Sequence, residues 1–444
     1  MGRDVPGRPD GGDRPADGGP DPAAARLGRA AGALAREQSR VSRWQTLRRA
    51  LGPAAEPIYR AVIARRNRAF DAGVGVRPAP GGLRVISVGN LSTGGTGKTP
   101  VVAHLAGVLH GYGLPVAVAL RGYRPDAAGV SDEAEEYRRA FVGLRPAVPV
   151  VVGPDRRAAL ARFLADPEAA RWRRQSAARD HAGVVILDDG FQHRRLARDA
   201  DVVLIDATRD PRWQRLLPAG ELREPVSALG RAHAVVITHA EAVGAGAAEG
   251  IAGALRAGLG AGSDRVAFAG CAHRWDGLEG IDPAGQPLEH EESWLAGRRV
   301  LALCAIGNPG PFVGRVRALA ARAEAITLPD HDGYSGATVA RVLAAAQRSG
   351  AQAIVTTQKD WSKLARVEPA RWPCPVLRPR LRIEFLWGLD DLLGVIARAA
   401  GAQPGTGWRG ASPGQGVASA AGHGAGNDAA IDGTGGRTDG GSRA

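Results

Sequence analysis

Only three of the 58 basic residues in this chain are lysine, Lys98, Lys359 and Lys363; everywhere else arginine is used. A lysine kept in so arginine-biased a chain marks a site that needs a compact ammonium on a flexible stem, which a planar guanidinium does not imitate. Lys98 sits in VISVGNLSTGGTGKTP, residues 85–100, behind Gly94, Gly95 and Gly97 and directly before Thr99. Glycines let backbone N–H groups converge on phosphate oxygens, the following helix points its positive end at them, and the Thr99 hydroxyl can ligate Mg²⁺. Ser92, Thr93, Gly94, Gly95, Thr96, Gly97, Lys98 and Thr99 therefore read as a nucleoside-triphosphate cradle. The generic pattern G-x-x-x-x-G-K-[ST] asks for glycine at position 92, where this chain has Ser92.

A second cluster is Asp188-Asp189, which ends the apolar run Val184-Val185-Ile186-Leu187. Carboxylates at the carboxyl end of a parallel strand stand where open α/β sheets bind ligands, and beside a phosphate cradle that position holds Mg²⁺ or its waters. The plainer reading is a pair of aspartates opening a turn before Gly190. The run Ser131-Asp132-Glu133-Ala134-Glu135-Glu136 opens a helix, where carboxylates are common for dipole reasons alone. His331, after Asp330, is by itself an ordinary helix-start or surface residue.

The elements that must position these groups follow from periodicity. Short β-branched runs at Val85–Val88, Pro115–Leu120, Val148–Val152, Val184–Leu187, Val202–Ile205 and Ala234–Thr238 alternate with helical stretches, which predicts a parallel sheet with helices on both faces. The fold class expected is α/β, a P-loop NTPase-like sheet over residues 80–267, then a connector over 268–295 and a smaller α/β domain over 296–400. Residues 1–39 and 401–444 are rich in Gly, Pro, Asp, Ser and Ala, carry few large apolar residues, and are expected to be disordered tails. Between them, 40–75 carries Trp44, Leu47, Leu51, Ile58, Tyr59, Val62 and Ile63 at spacings of three and four among arginines. This reads as two short basic amphipathic helices broken at Gly52-Pro53, either packed on the next domain or lying on a membrane surface.

Across all 444 residues the net charge is +13, which favours an anionic partner without choosing among nucleic acid, acidic membrane and phosphorylated substrate. Cys271, Cys304 and Cys374 are far apart and odd in number, so neither a disulfide framework nor a zinc site is suggested, and a cytoplasmic compartment fits.

With these pieces placed, the sequence resembles the tetraacyldisaccharide 4'-kinases of lipid A biosynthesis. The segments that carry the resemblance are SVGNLSTGGTGKTP (87–100), RGY (121–123), SDEA (131–134), ILDDGFQHRRLARDADVVLIDA (186–207), LLPAGELREP (216–225), AIGNP (305–309), PDH (329–331) and VTTQKD (355–360). They occur in family order and cover roughly residues 55–395. The family also lacks glycine at the place of Ser92; Gln358 stands where it usually has glutamate.

The resemblance implies an ATP- and Mg²⁺-dependent kinase that phosphorylates the 4'-hydroxyl of an acylated disaccharide 1-phosphate, working peripherally at an anionic membrane surface on the inner face of the cytoplasmic membrane. It implies that Lys98 is catalytic, that Asp132 and His331 are the acceptor-activating pair, that Thr99, Asp188 and Asp189 hold the metal, and that Asn90, Arg121, Gln192, Arg223 and Glu224 help bind substrate. Rival readings fit less well. A metallochaperone-type GTPase would bring clustered Cys or His ligands and an N-K-x-D motif, and a nucleic-acid binder would interleave aromatics with its arginines.

Overall fold

In the computed structural model, residues 51–122, 131–174, 183–330 and 332–402 are described. The expected tails, together with Trp44, Leu47 and His331, lie outside the described residues.

Helix α1 (51–71) precedes strand β1 (Arg84–Asn90), the glycine loop, helix α2 (Lys98–Gly111) and β2 (Val116–Leu120). Then come α3 (Asp132–Ala140), β3 (Val150–Val152), α4 (Arg156–Ala165), α5 (Pro167–Arg173), β4 (Val184–Asp188), β5 (Ala200–Asp206), β6 (Ala234–Thr238), α6 (Ala240–Val243) and α7 (Ala245–Leu259). The remainder is β7 (Ala267–Ile281), β8 (Pro287–His290), β9 (Arg299–Cys304), α8 (Pro309–Leu319), β10 (Arg322–Thr327), α9 (Gly336–Ser349), β11 (Ala353–Thr356), α10 (Gln358–Leu364), β12 (Val376–Trp387) and α11 (Leu389–Ala399).

The strands join in the order β10-β9-β11-β12-β7-β6-β5-β1-β4-β2-β3, with β8 beside β7. The predicted strands of the first half all form and pair in parallel. Their unbroken apolar runs are explained by cover on both sides. Ile86, Val88, Ile186 and Leu204 pack with Val101, Leu105 and Ile396 of α2 and α11. Val85, Val185 and Leu187 pack with Leu160 and Trp172 of α4 and α5.

The expected connector carries β7 and β8. β7 pairs in parallel with β6 and antiparallel with β12, so one sheet runs through both halves of the chain. β12 escapes a reading by periodicity because VLRPRLRIEFLW carries three arginines and Pro379. The register slips between Pro379 and Leu381, an irregularity that accommodates a residue with no N–H to donate.

Over the described residues α1 is one helix whose first turn holds Gly52 and Pro53; the first of the two expected helices lies outside the described residues but for Leu51. One of its faces packs on the body. Ile63 is buried, the Tyr59 hydroxyl donates to the Arg223 carbonyl at 2.9 Å, Asn67 Nδ2 donates to Glu224 at 2.7 Å, and Arg66 donates to the Gln192 carbonyl.

Candidate active site

The glycine loop joins β1 to α2 as the sequence predicts. Gly94 (φ 124°) and Gly97 (φ 71°) take backbone conformations that side chains disfavour. Gly97 is also the N-cap of α2, so no side chain caps the helix, and no acidic residue stands in its first turn. By contrast, α4 is capped by Asp155, which accepts from the Ala158 N–H. The first N–H groups of α2 are thus left for an anion.

Lys98 Nζ donates to Asn90 Oδ1 at 3.3 Å and lies 3.6 Å from Asp189 Oδ1. Gln192 Nε2 donates to the Asn90 carbonyl at 3.0 Å, and Arg223 Nη1 donates to both Asp189 oxygens at 2.9 and 2.8 Å. Ser92 and Thr93 lie against Leu222 and Glu221; the Thr93 N–H donates to the Glu221 carbonyl at 2.7 Å.

The two aspartates at the end of β4 are not equivalent. Asp188 is buried, its Oδ1 is shielded from solvent without a well-formed hydrogen bond, and the Tyr137 hydroxyl lies beside the carboxylate. Burial raises its carboxyl above the ordinary aspartate value, and the Lys98 charge only partly offsets this. Asp189, at φ 51°, turns into the Lys98 and Arg223 charges. Burial would raise its carboxyl too, but these cations hold it below the usual range. An under-bonded carboxylate oxygen, with the Thr99 hydroxyl lining the same cavity, is a donor set suited to a hard cation such as Mg²⁺.

These groups line a cavity of about 1320 Å³ whose wall includes residues 94–99, Arg121, Glu133, Glu136, Asp188, Asp189 and Arg223 from the first half, and Gly307, Asn308, Asp330 and Lys359 from the second. The second half closes directly on the loop. Arg209 Nη2 donates to the Gly307 carbonyl at 2.8 Å and Asn308 Nδ2 donates to Asp206 at 2.7 Å. A Cβ on Gly307 would come within 2.7 Å of the Gly95 nitrogen, so only glycine allows the approach.

All three lysines of the chain gather here. Lys98 and Lys359 line the cavity, the latter 2.9 Å from Asp330. Lys363 lies 3.5 Å from Asp132 Oδ2 and donates to the Asp332 carbonyl at 2.7 Å. It ties Asp132 to the backbone of the residue that follows His331.

Six of the expected residues that are described sit outside the cavity wall: Asn90, Ser92, Thr93 and Gln192, bonded as given above, and Asp132 and Glu224. Asp132 stands just before the lining Glu133 and is turned to Lys363. Glu224 is fully buried, paired with Arg231 at 2.8 Å and with Asn67, and so fastens α1 to the body.

Sequence reasoning missed Glu133 and Glu136. Their i, i+3 spacing was the available signal, since it puts both on one face of α3. Burial raises both carboxyls, Glu136 to about 7, with nearby Asp188 adding to each.

A family model described as tetraacyldisaccharide-1-P 4'-kinase, LpxK, matches residues 47–393. The tetraacyldisaccharide 4'-kinase of Anaeromyxobacter sp. (strain K) is 35% identical over 363 residues, 79% of this chain and 90% of that protein. That of Geobacter metallireducens is 37% identical over 324 residues, 69% of this chain and 86% of the relative. Among solved structures, LpxK from Aquifex aeolicus in complex with ATP superposes with a TM-score of 0.55 at 26% identity, covering 80% of this chain and 99% of that one.

Proposed function

The chain belongs to the tetraacyldisaccharide 4'-kinase family, and from that premise we propose that it transfers the γ-phosphoryl group of ATP to the 4'-hydroxyl of a tetraacylated disaccharide 1-phosphate. The observation that carries the reading is the junction of an uncapped glycine-loop helix, the Lys98–Asp189–Arg223 charge cluster and the under-bonded Asp188 oxygen on one cavity wall.

Phosphoryl transfer asks for positioning and charge stabilisation more than for covalent chemistry. The amides of residues 94–98 cradle the β- and γ-phosphates, and Lys98 swings from Asn90 to follow charge onto the leaving oxygen. Thr99, Asp188 and Asp189 would hold Mg²⁺, which when bound would offset phosphate charge. Arg223 keeps Asp189 ionised and oriented. Asp132 takes the proton of the 4'-hydroxyl late in the transfer, and His331 orients it. The Lys363 bridge from Asp132 to the Asp332 backbone supports that pairing. Asn90, Gln192 and Arg121 contribute polar contacts around the acceptor.

The acceptor's acyl chains place it in a bilayer. Among the described residues no helix is long and apolar enough to cross a membrane. Leu51, Ile58 and Val62 are 60%, 69% and 58% exposed. They fall at i, i+7 and i+11, on one face of α1, whereas Tyr59 and Ile63, also expected at the lipid boundary, turn inward. The outward face of α1, with Arg65 beside it, is the contact by which the enzyme rests on an anionic membrane at the cytoplasmic side. The helix that touches lipid is then the one hydrogen-bonded to the Arg223 and Gln192 loops.

The test is incubation of the purified chain with ATP, Mg²⁺ and detergent-dispersed disaccharide 1-phosphate, read by mass spectrometry. Gain of one phosphate at the 4'-position is expected. A folded chain that binds ATP and leaves this acceptor unmodified overturns the assignment.

A further inference from the structure

Beside the oxygen donors of the nucleotide site, on the wall of the same cavity, three side chains come together, two of them against the last glycine of the loop. His239 follows β6, Glu241 lies in α6 and His273 stands on β7. Each offers a nitrogen or carboxylate donor, and these donors all lie within 4.8 Å of one another. The two imidazole rings stack with centroids 4.1 Å apart and planes 20° from parallel.

We infer that His239, Glu241 and His273 form a binding site for a borderline-soft divalent transition-metal ion, Zn²⁺ being the best fit, with a further position open to water. Three observations support it. Both ring nitrogens of His273 are shielded from solvent and make no well-formed hydrogen bond, the Gly97 backbone lying against the ring, so a bound ion would satisfy them. The carboxylate is already oriented: the His273 backbone N–H donates to Glu241 Oε2 at 3.0 Å, and Oε1 lies 3.2 Å from His239 Nδ1. His239 is held at φ 56°, a left-handed conformation that non-glycine residues rarely adopt and that clusters at functional sites.

Bonds of about 2.1 Å in a tetrahedral centre put donors roughly 3.4 Å apart, so side-chain torsions close the remaining gap. A His₂Glu set is a Zn²⁺ set, whereas Mg²⁺ prefers oxygen alone, which keeps this site chemically apart from Asp188 and Thr99. It is nonetheless adjacent to them, because a Cβ on Gly97 would lie 2.4 Å from His273 Nε2 and 3.4 Å from His239 Nε2.

The experiment uses the full chain, freed of metal with EDTA and returned to excess Mg²⁺, and titrates Zn²⁺ against a chromophoric chelator. One Zn²⁺ per chain is expected, with affinity lowered at least about tenfold in His273→Gln and in Glu241→Gln. Co²⁺ loaded in place of Zn²⁺ should give visible d–d absorption that both variants lose and that His290→Gln keeps. Far-UV circular dichroism checks that each variant is folded; Glu241→Gln, with no apolar packing to lose, keeps the test decisive where His273→Gln fails to fold. Absence of stoichiometric Zn²⁺ binding by the wild-type chain, or equal Zn²⁺ affinity in folded variants, overturns the site. Neither result bears on whether the chain phosphorylates its acceptor.

Discussion

Asp188→Asn should stabilise the nucleotide-free protein while removing most of its activity. The wild-type carboxylate is buried with one oxygen under-bonded, and its folded-state pKa lies above the ordinary 3.8. A raised carboxyl pKa means that the folded chain binds the proton more tightly than the unfolded chain. The stability contributed by this group therefore falls as pH rises from 3.8 through the folded value, and the full penalty is present at pH 7.5. An unsatisfied buried polar group costs about 1–3 kcal/mol, more when charged, and neutral asparagine relieves most of the charged excess. At about 2–4 °C per kcal/mol, the variant should melt roughly 2–10 °C higher in EDTA at pH 7.5, a gain that vanishes near pH 4 as the wild-type carboxyl protonates. Turnover should fall by about 10²–10³-fold, and the rise in melting temperature that Mg²⁺ with ATP gives the wild type should be lost. Calorimetry with and without Mg²⁺–ATP reads both effects. A variant that melts lower in EDTA and keeps normal Mg²⁺ dependence would refute the reasoning, because Asp188 would then be a structural turn residue.

Lys98→Ala should fold normally and lose about 10²–10³-fold in turnover, since its ammonium stabilises charge that develops only during transfer; near-normal turnover in single-turnover assays would remove the glycine loop from the chemistry. Asp132→Ala should slow transfer far more than it weakens ATP binding, and adding His331→Ala should cost less than the product of the single effects, as expected of residues acting as one unit; full multiplicativity measured by initial rates would separate them. The Glu136 carboxyl titrates in the fold near 7 against an ordinary 4.5, so stability should decline between those pH values and Glu136→Gln should flatten that part of the melting-temperature profile; an unchanged slope would place the titration elsewhere. Changing Leu51, Ile58 and Val62 together to Asp should abolish flotation with anionic vesicles while ATP hydrolysis or binding in detergent persists; equal flotation of variant and wild type would move the membrane contact off α1.

The phosphate cradle, the paired aspartates and the parallel strands of the first half were legible in the sequence because each is a local event. Gly94, Gly97 and Lys98 act through backbone conformation and one helix terminus, and an unbroken apolar run has few fates other than a covered parallel strand. Three things were decided only by the tertiary structure. β12 forms despite its arginines and Pro379 because β7 supplies a long antiparallel partner, a non-local pairing that no period within residues 376–387 announces. Asp188 and Asp189 are adjacent in sequence yet differ in state, one under-bonded and one neutralised, because Arg223 arrives from 34 residues away. The inward turn of Tyr59 and Ile63, the outward turn of Leu51 and Val62, and the meeting of His239 with His273 depend on which surfaces are packed against which. Spacing along the chain fixes which residues share a face; only the fold determines what that face meets.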